Sequence, residues 1–166
     1  MKRHSFDVTS RCAHVGDKGR CKRMTTVTHP FCGQHTREHL GVTVQKSNIP
    51  KAGLGLFAEK MFNVDDRIVE YSGEKLTTAQ YDRRYDKDAM GSYGIQLSES
   101  YVLDARKSNS GVARYACDYH GSKKKPNAEY VNFGGRIWIV ATKRIKVADE
   151  ILTDYGDDMH KALGLE

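Results

Sequence analysis

Glu150-Ile-Leu-Thr-Asp-Tyr155-Gly156 is the stretch on which the fold turns. Alone it is a poor motif, and its weight comes from the landmarks that precede it in order. Lys51-Ala-Gly-Leu-Gly-Leu-Phe-Ala58 is a Gly-x-Gly turn running into an extended segment. Glu70-Tyr71-Ser-Gly-Glu74, Tyr101-Val-Leu-Asp104, Gly111-Val-Ala-Arg114-Tyr115 and Pro126-Asn127-Ala128 follow. The glycine turn lacks the third glycine and the following helix of a dinucleotide-binding fingerprint, which excludes a Rossmann site. Its chemical value is that the main chain there can approach a ligand closely.

Around these landmarks the chain reads as short extended runs broken by Gly, Pro and Asn. Strands are expected at Val42–Gln45, Gly55–Ala58 and Ile68–Tyr71, with a turn at Asn48-Ile49-Pro50. Tyr93–Leu97 and Tyr101–Asp104 flank Ser98-Glu99-Ser100 as a hairpin. Glu129–Phe133 pairs with Arg136–Ala141 across Gly134-Gly135, where both turn positions can take positive φ. Thr77 or Thr78 caps a short helix through Tyr85. Asp157–Leu163 forms a closing helix stopped by Gly164. The fold class is therefore mostly β with short helices.

The 166 residues suffice for one main domain with a small appendage. The longest apolar run, Ile137–Ala141, is far short of the roughly 18 residues of a membrane span. No apolar run follows Lys2 and Arg3, so an intracellular protein without a secretory signal is expected. The formal charge is +6, and residues 1–40 carry eight Lys/Arg against Asp7, Asp17 and Glu38, a net of +5. That concentration favours contact with nucleic acid or chromatin, a solubilising tail being the plainer alternative.

The same 40 residues hold Cys12, Cys21, Cys32 and His35, separated by eight, ten and two residues. Cys32 and His35, three apart on a tight turn or first helical turn, can converge on one tetrahedral ion. With few large apolar residues nearby, a structural Zn2+ would supply the order a core cannot. Free thiols on a flexible tail are the competing reading. His14, His29 and His39 are taken as surface residues. Residues 1–40 are thus set off as a basic zinc-binding module.

The ordered landmarks between Val42 and Gly156 resemble those of the SET-domain lysine methyltransferases. The resemblance implies small curved sheets joined in a pseudoknot over residues 41–156, followed by a short helical tail at 157–166. It implies a protein-lysine N-methyltransferase that takes its methyl from S-adenosylmethionine and acts on histone tails or nucleosomes in the nucleus. Tyr155 would orient the lysine amine, with Tyr71 and Tyr130 in the same channel. Lys51, Ala52, Gly53, Leu54 and Gly55, with Tyr93, Arg114, Cys117 and Asp118, would hold the donor. Tyr130 corresponds to a place that restricts product size, whereas a small Thr153 leaves space, so the degree of methylation stays open.

Two departures from the family pattern bear on function. Cys117 and Asp118 stand where relatives carry Asn and His, and a thiol is a poor substitute for an amide that both donates and accepts. A degenerate SET module that binds chromatin or nucleic acid without catalysis therefore stands as the alternative. No cysteines follow Tyr155, so the zinc-bound cap of many relatives is missing. Residues 157–166 or the second subunit of a homodimer must close the channel instead.

Overall fold

The computed structural model describes residues 9–85 and 93–163. Its strands are β1 (Val15–Gly16), β2 (Gly19–Arg20), β3 (Val42–Lys46), β4 (Leu54–Ala58), β5 (Arg67–Tyr71), β6 (Glu74–Thr77), β7 (Gly94–Ser98), β8 (Tyr101–Asp104), β9 (Cys117–Asp118), β10 (Ala128–Phe133), β11 (Arg136–Ala141) and β12 (Leu152–Thr153). Its helices are α1 (Gly33–Leu40), α2 (Thr78–Arg84) and α3 (Asp157–Leu163). Gly164 lies outside the described residues, as do Lys2, Arg3 and Asp7.

The strands form small sheets: β1-β2, β3-β4, β6-β8-β7, β10-β11-β5 and a parallel pair, β12-β9. The expected hairpins are present. β10 meets β11 with Phe133 opposite Arg136, and Gly134 and Gly135 take φ of 61° and 86° between them. β7 meets β8 with a register shift between Gln96 and Ser98. Thr77 caps α2 through a capping box with Gln80, its hydroxyl accepting from the Gln80 N–H.

Sheets this short are marginal on their own, so a shared core must hold them. Val42, Leu56, Ile139, Ile145 and Ile151 are fully enclosed in that core, drawn from opposite ends of the sequence. Each large aliphatic side chain buried in this way contributes roughly 1.5–3 kcal/mol.

Polar contacts then fix the segment from Glu150 to Gly156. The Asn127 side chain donates to Glu150 O (2.9 Å) and accepts from the Leu152 N–H (2.8 Å), while its own N–H donates to Leu152 O (3.0 Å). The buried Glu150 carboxylate accepts from the Ser47 hydroxyl and, at 3.0 Å, from the Asn48 N–H. Gly55 is small for this reason: a Cβ there would lie 2.5 Å from Glu150 Oε1. The loop joining β3 to β4 is thereby fastened to the motif that ends in Tyr155.

Cys32 and His35, expected on a tight turn or first helical turn, stand at the N-cap and in the first turn of α1. It has no apolar stripe to announce it, and the side chains it buries are His35 and Thr36. Its packing comes from the cysteine cluster beneath it.

Candidate active site and metal centre

Tyr71, Tyr93, Arg114, Tyr130 and Tyr155 line one cavity of about 210 Å³, together with Gly94, Ile95, Gln96 and Met159. They come from several elements, with Gly94, Ile95 and Gln96 all from β7. Tyr71 ends β5, Tyr130 lies in β10, Arg114 sits in a 3-10 turn, Tyr155 follows β12 and Met159 comes from α3. Tyr71 and Tyr130 meet edge to face with ring centroids 5.6 Å apart.

The hydroxyls are aimed. Tyr155 OH donates to Ala116 O at 2.8 Å, and Tyr71 OH donates to Tyr93 O at 2.8 Å. Burial keeps both hydroxyls protonated well above the ordinary tyrosine range and pushes Tyr130 up to about 12. These groups are therefore neutral dipoles at any physiological pH, and each oxygen keeps lone pairs after its proton is given away. The Tyr130 hydroxyl lies 3.5 Å from the Thr153 hydroxyl.

Arg114 is buried, with its charge spent on the main chain: Nε donates to Ala105 O (2.7 Å) and an Nη to Arg106 O (2.9 Å). Its guanidinium lies over the Tyr93 ring at 4.3 Å. It shapes the wall rather than acting as a free cation.

Lys51, Ala52 and Leu54 are exposed and Gly53 is half-buried, while the Ala52 N–H donates to Ile49 O and Gly53 O accepts from the Ser47 N–H. Positive φ at Lys51 (65°) and Gly53 (85°) makes the turn tight. None of Lys51–Gly55, Cys117 and Asp118 lines the cavity; the turn is tied to the segment next to Tyr155 by Cys117, whose buried thiol donates to Leu54 O at 3.3 Å, while its neighbour Ala116 accepts from the Tyr155 hydroxyl. Burial pushes that thiol up to about 11, so it is not a nucleophile near neutrality.

A sulfonium donor fits these residues chemically. Four tyrosines line the cavity with Gly94, Ile95, Gln96, Met159 and one charged side chain, Arg114. Aromatic faces favour a cation, and the guanidinium of Arg114 already lies against one of them, Tyr93, while hydrogen-bonded to Ala105 O and Arg106 O.

Asp118 has a different surrounding. Its Oδ1 accepts from the His120 N–H (2.8 Å) and sits 2.6 Å from His120 Nδ1; its Oδ2 accepts from the Tyr155 N–H (2.7 Å) and sits 2.7 Å from His160 Nε2. Burial acts to raise this carboxyl, yet the contacts to His120, His160 and Tyr155 outweigh it and hold the group below the ordinary carboxylate value. Sequence reasoning missed His120, His160 and Met159. His120 lies two residues from Asp118, but nothing local places His160 or Met159 beside it.

In the N-terminal region the ligand atoms of Cys12, Cys21, Cys32 and His35 lie within 4.8 Å of one another. Cys12 Sγ and Cys32 Sγ are each 3.3 Å from His35 Nδ1. Zn–S and Zn–N bonds at a tetrahedral angle place S and N roughly 3.5 Å apart, so the donor set fits one zinc ion. His35 Nε2 faces Glu38 at 3.6 Å, as a ligating imidazole's second nitrogen commonly does. His14 stacks on His35 at 3.7 Å and contacts His39, so these two are part of the cluster's surroundings rather than bare surface groups. Arg11 and Arg20 donate to the carbonyls of Cys21, Arg20, Cys12 and Arg11.

A strand-rich fold of small sheets in which Tyr71, Tyr130 and Tyr155 enter one cavity defines the class. The chain matches the SET domain family over residues 53–156, and it belongs to that family. Over 107 residues it is 35% identical to "Histone-lysine N-methyltransferase, H3 lysine-4 specific" of Aspergillus oryzae, covering 61% of this chain and 8% of that protein. The protein of the same description in Eremothecium gossypii is 32% identical over 161 residues, covering 93% of this chain and 15% of its own length. Human "Histone-lysine N-methyltransferase 2D" is 31% identical over 118 residues, covering 66% of this chain and 2% of that protein. The chain thus spans only a small part of the length of these relatives. No helix among the described residues is long and apolar enough to cross a membrane.

Proposed function

We propose that this chain is a protein-lysine N-methyltransferase that uses S-adenosylmethionine and acts on histone tails in the nucleus. The observation that carries it is the convergence of Tyr71, Tyr130 and Tyr155 on one cavity, with the Ala116–Cys117 segment linking Tyr155 to the Lys51–Leu54 turn. The names of the relatives support a histone lysine as the substrate.

Bound S-adenosylmethionine would supply a methyl group activated by a positively charged sulfur. Lys51, Ala52, Gly53, Leu54 and Gly55, with Tyr93, Arg114 and the main chain at Cys117 and Asp118, would hold it. The remaining chemistry belongs to the channel. A lysine attacks only as the neutral amine, and a dry aromatic wall disfavours the ammonium form. The Tyr155 oxygen, its proton committed to Ala116 O, can accept from the amine N–H and so point the nitrogen lone pair along the line of attack. Tyr71 and Tyr130 enclose the side chain and keep water out.

Residues 1–40 would form a module ordered by one zinc ion on Cys12, Cys21, Cys32 and His35, residues 41–156 the catalytic domain, and residues 157–166 its helical closure. The exposed Lys18, Lys22 and Arg23 suit a DNA contact in a nucleosome substrate. A homodimer would complete the closure if the tail alone does not.

Incubating the protein with methyl-labelled S-adenosylmethionine and recombinant nucleosomes tests the assignment. Label on a histone lysine is expected, and none on any histone would overturn it. Cys117 favours a second reading, a binding module without turnover, because its thiol occupies Leu54 O beside the donor turn. Calorimetry separates the two: saturable donor binding supports the enzyme, and its absence supports the binding module.

A further inference from the structure

We propose that Asp118 and His160 form a clasp that positions Tyr155 and holds the Met159 wall of the lysine channel. This rests on the methyltransferase assignment and adds positioning residues to it.

The carboxylate of Asp118 has about four acceptor sites, and four contacts occupy them: the N–H groups of His120 and Tyr155 and the rings of His120 and His160. One of these sets the main chain of Tyr155. Another reaches His160 of α3, whose neighbour Met159 lines the cavity. The same carboxylate therefore ties the reacting tyrosine to the helix that closes the channel. His160 is buried, and the same Nε2 that faces Asp118 lies 3.5 Å from Asp154 Oδ1, so one ring nitrogen meets two carboxylates. The His120 ring packs against it at 3.8 Å between centroids.

Asp118, His120 and His160 could equally be read as metal ligands, since their donor atoms are close together. The distances decide against it. Oxygen and nitrogen ligands 2.0–2.2 Å from one ion at a tetrahedral angle stand roughly 3.4 Å apart. The Asp118 contacts of 2.6 and 2.7 Å are the lengths of charge-assisted hydrogen bonds. The cysteine cluster, with its 3.3 Å contacts, shows the wider spacing that an ion requires.

The test compares His160→Ala, His160→Gln and Asp118→Asn with the unaltered protein. Glutamine can still donate to Asp118, whereas alanine cannot. For His160→Ala the clasp predicts kcat lower by about 10- to 100-fold, the scale of a misplaced reacting group, with donor affinity within about twofold. His160→Gln should recover most of that loss. Amide exchange at Tyr155, followed by NMR, should be at least about tenfold faster in His160→Ala and in Asp118→Asn, and near normal in His160→Gln. A merely structural role would lower kcat, donor affinity and melting temperature together in both His160 variants. That pattern overturns the clasp, as would two metal equivalents per chain falling to one in His160→Ala. Should the unaltered protein transfer no methyl, the assignment of function fails, while exchange at Tyr155 still decides whether the clasp exists.

Discussion

Replacing Gly55 with alanine tests whether the donor turn is fastened to the catalytic motif through Glu150. The new Cβ would stand 2.5 Å from Glu150 Oε1 and 3.1 Å from Ser47 Cβ. The carboxylate is the far end of a side chain, yet Glu150 is only 2% exposed and accepts from the Ser47 hydroxyl and the Asn48 N–H. Moving it loses one or both bonds, at about 1.5–3 kcal/mol each for a charged acceptor. A net cost of about 2–4 kcal/mol lowers Tm by roughly 5–15 °C in a chain of this size. The assay is urea or thermal unfolding of Gly55→Ala, Glu150→Ala and the double variant. Without the carboxylate the alanine has no oxygen to strike, so the second substitution should add little, and the coupling should exceed about 1 kcal/mol. Equal cost of Gly55→Ala with and without Glu150 would refute the reasoning.

Further outcomes follow from the other buried groups. Replacing Cys32 with serine should remove the single zinc equivalent found by elemental analysis and unfold α1, seen as lost protection of its amides; retention of the metal would contradict the ligand set. Cys117, pushed up to about 11 by burial, should resist iodoacetamide at pH 8, as read by peptide mass spectrometry. Because that value is raised above the unfolded one, the thiol's contribution to stability is complete below about pH 8.5 and is lost as pH rises towards 11. Asp118 behaves oppositely. Its lowered value means that the stability it contributes is present above about pH 4 and is lost as pH falls below that. Asp118→Asn should therefore be less stable at pH 6 and should lose less than the unaltered protein between pH 5 and 3.

The hairpins were legible because their signals are local. Gly134-Gly135 between alternating apolar runs specifies its turn, and Thr77 with Gln80 specifies its cap. The pairing of β11 with β5 and of β12 with β9 was not, since it joins distant segments through burial that no short window displays. α1 was legible only as the tight or first helical turn carrying Cys32 and His35, because the side chains it buries, His35 and Thr36, make no apolar stripe. Tyr71, Tyr130, Tyr155 and Arg114 came from an ordered resemblance, and the structure brings all four to one cavity. The Asp118 clasp was invisible for a physical reason: its members act through hydrogen bonds across 42 residues of separation, which leave no periodicity in the sequence.

The central claim, that Tyr155 orients a lysine amine for methyl transfer, is tested most directly by single-turnover transfer to a histone H3 peptide at saturating donor. Tyr155→Phe removes only the oxygen that donates to Ala116 O. A fall of about 100-fold or more in the transfer rate, with donor affinity unchanged, is the predicted result. An unaltered rate in Tyr155→Phe would contradict it.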